Sequence, residues 1–160
     1  MNTGQMMITL AAMMLLALVI LRVNNGFLST NTVLMETKFG VLGVSLATSI
    51  IEDATGKAFD ENSDSGTVTT LNDLSTLGPD GEVYDDFDDF DDYKGLVYID
   101  STMPSARFRI ACAVVYVNPA FPDSFSGVNT WHKKLTVVVT TPSSQDTIKM
   151  STIFSYFYFR

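Results

Sequence analysis

Residues 5–21, QMMITLAAMMLLALVIL, run for seventeen positions without a charge or a proline. At a helical rise of about 1.5 Å per residue the run is about 25 Å long, a little short of a hydrocarbon core of about 30 Å. The uncharged residues 1–4 close that gap. A secretory signal peptide would carry a basic stretch ahead of its apolar run and a small-residue cleavage site, and nothing before Arg22 is basic. A helix buried in a soluble core would need neighbours on every face. The run therefore reads as a membrane span, or as a helix buried among copies of itself.

Beyond Arg22 the pattern turns amphipathic and continues. Leu28, Met35, Phe39, Leu42, Leu46, Ile50, Ala54 and Ala58 recur at spacings of seven, four, three and then four, which is one helical stripe. No proline occurs before Pro79. The spacing predicts one long helix from near Thr3 to about Phe59, weakest at Asn24-Asn25-Gly26, where a kink or a few unwound residues are expected. The chain then divides into an N-terminal helix over 1–59, apolar over 1–24 and amphipathic over 25–59, and a β domain over 60–160 with an acidic loop at 80–95.

Composition excludes several functions. Net charge is −8, which disfavours nucleic acid as a partner. The charge is unevenly spread: residues 36–100 hold sixteen acids against three lysines, and residues 101–160 hold six bases against two acids. Cys112 is the single cysteine, inside a strand-like run, and is expected to be a small buried hydrophobe. His132 is the only histidine, which rules out histidine-based metal clusters, and no phosphate-cradling loop or nucleophile elbow occurs. The chain is not expected to be an enzyme.

Residues 60–77 are rich in Ser, Thr, Asp and Asn and form a connector with short β-like pieces near Val68, and Pro79-Asp80-Gly81 signals a turn. Strands are expected over 96–100, 107–117, 135–141 and 148–159, with a hairpin loop over 142–146 and a long loop over 118–134. The last strand is apolar on both faces, with Ile153, Phe157 and Phe159 opposite Phe154 and Tyr156, so both faces are expected to be covered. The fold class is α+β: a long N-terminal helix packed on a small C-terminal antiparallel β-sheet of about four strands.

In the acidic loop Tyr84, Phe87, Phe90 and Tyr93 are spaced by three, and the carboxylates Asp85, Asp86, Asp88, Asp89, Asp91 and Asp92 fill the gaps. A helical turn or 3₁₀-like coil would gather the rings on one side and crowd the carboxylates on the other. Crowded carboxylates need solvent and salt, a hard cation such as Ca²⁺, or bases such as Arg107, Arg109, Lys133 and Lys134. The spacing is not that of an EF-hand loop.

An uncharged N-terminal helix that continues as an amphipathic stalk into a small antiparallel sheet resembles the type IV pilins and their pseudopilin relatives. The tract Phe87-Asp88-Asp89-Phe90-Asp91-Asp92-Tyr93-Lys94-Gly95 is similar to an Asp-Asp-Tyr/Phe-Asn-Gly segment of some pilin-like proteins. The resemblance implies a homo-oligomeric helical filament at the cell surface, whose subunits sit in the inner membrane before assembly and pack into the filament after a peptidase has removed a short basic leader. It implies no cofactor other than the Ca²⁺ already considered. Gln5, Met6, Leu10, Met14, Ala17 and Leu21 would then lie in the assembly core. The departures are that Gln5 stands where pilins have glutamate, that a leader ending at Gly4 would leave Thr9 there instead, and that paired cysteines are missing.

Two readings follow: a filament subunit, used in adhesion, motility or secretion, or a monomeric single-pass membrane protein presenting a binding domain, calcium-dependent in one version. Val33, Gly40, Val41, Gly43, Val44 and Ala47 lie partly off the main stripe, and small residues there would let neighbouring helices approach closely. That favours the filament.

Overall fold

A computed structural model describes residues 2–64, 66–103 and 106–157. The chain divides into two compact units, Met1–Lys38 and Phe39–Arg160. One helix, α1 (Thr3–Thr55), supplies the first unit and opens the second. It runs without a break through Asn24-Asn25-Gly26, where unwinding was expected. The cost of one glycine is about 1 kcal/mol, too small to open a helix already propagating on both sides, and Thr30 Oγ1 donates to Gly26 O at 2.9 Å.

In the second unit α1 buries Phe39, Gly43, Ala47, Ile50 and Ala54, spaced by four, four, three and four. Leu42, Leu46 and Ile51 flank them, half-buried. Full burial of Phe39 or Ile50 contributes about 1.5–3 kcal/mol each. The stripe is thus rotated from the expected one, because Gly43 and Ala47 occupy its centre. A Cβ on Gly43 would run into Ile148 Cδ1 and sit 3.6 Å from Val139 Cγ1, so the sheet approaches the helix where there is least side chain. These small residues serve packing within the chain, and they no longer argue for contact with neighbouring helices.

The helix stops at Thr55 instead of near Phe59. Gly56 follows, and Ala58 leaves the helical path to form a parallel bridge with Asp89, with Ala58 N donating to Asp88 O and Phe90 N donating to Ala58 O. The acidic tract is pinned beside the end of α1 in this way. A short helix, α2 (Glu61–Asp64), and a 3₁₀ turn, Leu71–Asp73, mark the connector; the stretch near Val68 is not a strand. Gly81, at φ 101°, and Gly95, at φ 81°, both require the left-handed region that glycine occupies without strain.

The sheet has five strands: β1 (Val97–Asp100), β2 (Phe108–Asn118), β3 (Phe121–Phe125), β4 (His132–Thr140) and β5 (Thr147–Ser155). The order is β1-β2-β4-β5, all antiparallel, and β3 pairs with the end of β2 through Val117↔Phe125 and Asn118↔Phe121. β3 falls inside the stretch expected to be a loop. Pro122 and an exposed side chain at every position hide it from any alternation pattern. β4 begins three residues early, which brings Lys133 into register with Leu135, Val137 and Val139 on the buried face.

Inward residues Phe108, Ile110, Cys112, Val114 and Tyr116 of β2 meet those of β4 and the helix in one core. Cys112 is buried there as expected, and burial pushes its thiol up to about 11. β5 is an edge strand with one covered face. Phe154 and Tyr156 are buried, whereas Ile153 and Phe157 are 41% and 57% exposed, so the expectation of two covered faces fails within the single chain. Phe159 lies outside the described residues.

Candidate functional site

Two features stand out from the core: the apolar surface of α1 and the polar cluster around the acidic tract. Gln5, Met6, Leu10, Met14, Ala17 and Leu21 all lie on α1 and are all exposed. The last five are spaced by four, four, three and four, which lines them along one side of the helix. The exposed apolar surface does not stop with them, since Phe27, Leu28, Val33, Leu34 and Met35 are also exposed. Among the described residues α1 is the one helix long and apolar enough to cross a membrane, and its most apolar stretch is 0% buried.

The acidic tract is neither a helix nor a two-sided coil. Asp85 and Asp86 sit exposed in a 3₁₀ turn, Tyr84–Asp86, and Asp88 is exposed, but Asp89, Asp91 and Asp92 turn inward with the rings. The inward carboxylates satisfy backbone donors. Asp91 N and Asp92 N donate to Asp89 Oδ1 at 2.7 and 3.1 Å, and Asp88 N and Asp89 N each donate to Asp92 Oδ2 at 3.1 Å. Aspartate recurs here because its short side chain closes turns of this kind. Phe87, Phe90 and Tyr93 are buried; Phe90 packs on Phe154 with centroids 5.1 Å apart, and Tyr93 Oη donates to Asp53 Oδ2.

Beneath the tract lies Lys133, 0% exposed. Its Nζ donates to Asp60 Oδ1 and Phe59 O, each at 2.7 Å, and to Asp91 Oδ1, and it stands 4.4 Å from the Phe59 ring centroid. Asp60 also accepts from Ser75 N at 2.9 Å, and Asp91 from Gly78 N at 3.3 Å. Of the bases considered for this tract, Lys133 is the one that meets it among the described residues. Lys134 pairs with Asp123 at 3.2 Å instead, and Arg109 lies on the far side of the sheet. The alternation of Lys133 with Leu135 and Val137 is the signal that could have placed it inward. Asp60 carried no such signal.

Buried carboxylates pay for their position in pKa. Burial, then Asp91 and Asp92, push Asp89 up to about 8 against the pull of Lys133, and Asp89 Oδ2 has no hydrogen-bond partner among the described residues. Asp91 is raised by burial and held back by Lys133. At the surface of the cluster, carboxylate oxygens of Glu82, Asp88 and Asp92 lie within 4.8 Å of one another, a spacing that a hard cation could bridge. Glu82 is raised by burial and then by Asp88 and Asp92; Glu61 is raised chiefly by Asp88. Of the six aspartates considered for a cation, the structure brings Asp88 and Asp92 together and adds Glu82, which stands before the Asp-rich run and was missed for that reason. Asp85 and Asp86 are not part of this trio.

His132, in β4, has its Nδ1 2.7 Å from Ser155 Oγ, a contact internal to the sheet. No family model, curated protein or solved structure matches the chain.

Proposed function

We propose that this chain is the structural subunit of a filament, assembled by packing its apolar N-terminal helices against one another, after a stage in which the same helix is held in a membrane. The observation that carries this reading is the length of exposed apolar surface on α1. From Met6 to Met35 it extends about 44 Å, against about 30 Å for a hydrocarbon core. If residues 3–22 fill a membrane, Phe27, Leu28, Val33, Leu34 and Met35 stay in water on a monomer. Packed among copies of the same helix, both parts are covered.

The likeness to type IV pilins in helix, sheet and acidic loop supports the same assignment, and the extracellular surface is the location it implies. The competing reading, a monomeric anchored domain that binds a cation through Glu82, Asp88 and Asp92, draws on the spacing of those carboxylates. Electron microscopy of the full chain, transferred from detergent into buffer, separates the two. Filaments of uniform diameter support the subunit; single particles that stay in micelles or vesicles support the anchored domain.

A further inference from the structure

The outward face of the sheet carries bases and no acid on its paired strand positions, and of these bases Lys134 is already paired, with Asp123 on β3. Cross-strand register places Ile99, Arg109, Thr140 and Thr147 in one row, Val97, Ala111, Val138 and Lys149 in the next, then Ala113, Thr136 and Ser151, then Val115, Lys134 and Ile153. The rows contain three bases and no acid, and small residues keep the centre flat. On the other side of the sheet, Glu61, Asp64, Asp80, Asp85, Asp86 and Asp88 are exposed. Side-chain alternation separates the two surfaces. Lys133 faces inward onto Asp91, and Phe90 packs on the inward Phe154, so the acidic tract sits on the helix side, opposite Lys134. Arg109 and Lys149 therefore cannot meet these acids within one copy.

We propose that the outward sheet face of one copy, through Arg109 and Lys149, docks on the acidic surface of a second copy built by Glu61, Asp80, Asp85 and Asp88. Charge complementarity selects a second copy as the occupant, because each chain carries both halves. Two different surfaces in contact make a heterologous interface, which propagates where rotation does not close it. The inference rests on the filament reading and names the contact between its domains. The neighbouring carboxylate Asp88, which chiefly raises Glu61, would be offset by incoming cationic groups.

The test mixes isotope-labelled and unlabelled full chain, in detergent micelles and as filaments, and treats both with a zero-length carbodiimide that joins amines to carboxylates in contact. Mixed-isotope peptides linking Lys149 to Glu61, Asp80, Asp85 or Asp88 are expected. Arg109→Glu with Lys149→Glu should lower assembly at low salt about tenfold, and adding Glu61→Lys with Asp88→Lys should restore it. Parent filaments that lack these links, or normal filaments from the first variant, overturn the inference and leave the filament reading intact. Mixed-isotope links in micelles without filaments uphold the contact and defeat the filament reading. Protection of Lys149 by anionic phospholipid vesicles, without links, gives this face to a membrane surface and overturns the inference.

Discussion

Lys133 Nζ lies 2.7 Å from Asp60 Oδ1, both side chains 0% exposed, and joins the segment that follows α1 to the start of β4, an inner strand of the sheet. Removing one partner of a buried ion pair strands the other, at a cost of about 3–5 kcal/mol. Lys133→Met should therefore destabilise the fold by about that amount in denaturant titrations of the full chain. Lys133→Met with Asp60→Asn and Asp91→Asn should recover much of the loss. A single variant as stable as the parent would show that the cluster is solvated.

Gly43 and Gly40, one helical turn apart, should respond differently. Nothing lies within 4 Å of a Cβ on Gly40, so Gly40→Ala should gain up to about 1 kcal/mol of helix propensity. At Gly43 the same gain is opposed by Ile148 Cδ1, and Gly43→Leu should cost about 1–3 kcal/mol through overpacking. Ile148→Val removes the obstructing methyl and should make Gly43→Ala better tolerated. Equal responses at the two glycines in a double-mutant cycle would contradict this packing.

Asp89 predicts a pH dependence. Its folded pKa of about 8 lies above the ordinary 3.8, so between these values the native chain holds a proton that the unfolded chain has released. Stability from this group is present at low pH and declines as pH rises through that window. Asp89→Asn keeps an oxygen for Asp91 N and Asp92 N and removes the titration. The parent should lose melting temperature between about pH 5 and pH 8.5 relative to the variant. Parallel profiles would mean that Asp89 stays ionised in the fold.

Glu82 tests the carboxylate trio. In chelator at low salt, Glu82→Gln should raise the melting temperature, because one of three crowded carboxylates is gone. With Ca²⁺ at about 1 mM the parent should gain and the variant should not. The same response in both would assign the trio to solvent.

Much of the fold is legible in the chain. The long uncharged run, the spacing from Phe39 to Ala54 and the alternation from Phe108 to Tyr116 each state one element directly. Local patterns fail where long-range contacts decide. Ala58 leaves the helix to meet Asp89, Gly43 is buried because Ile148 comes to it, and β3 shows no alternation since neither of its faces is covered. For the polar cluster, the Asp-rich tract is conspicuous, but Asp89 and Asp92 turn inward through local backbone bonds, and Asp91 does so onto Lys133, which lies more than forty residues away.

Gln5 is exposed near the start of α1 and offers a carbonyl oxygen without charge. An uncharged acceptor gains no charge assistance, so Gln5→Ala should impair assembly only modestly. Ala17→Lys, which places a charge among exposed apolar residues of α1, should abolish filaments and leave the melting transition of the sheet unit in place, since a buried charge costs about 2.5–3.5 kcal/mol even on lenient membrane scales. Filament yield by sedimentation checks both.

The most direct test is Leu34→Glu. Leu34 is exposed on α1, beyond the residues that a membrane would cover if the uncharged run fills it, and leucine and glutamate have similar helix propensity. Packing of the helix against its copies predicts that electron microscopy will show filaments from the parent and none from Leu34→Glu, with the same membrane fraction and melting transition in both. Normal filaments from Leu34→Glu would contradict the account, because this part of α1 would then face water in the assembled state.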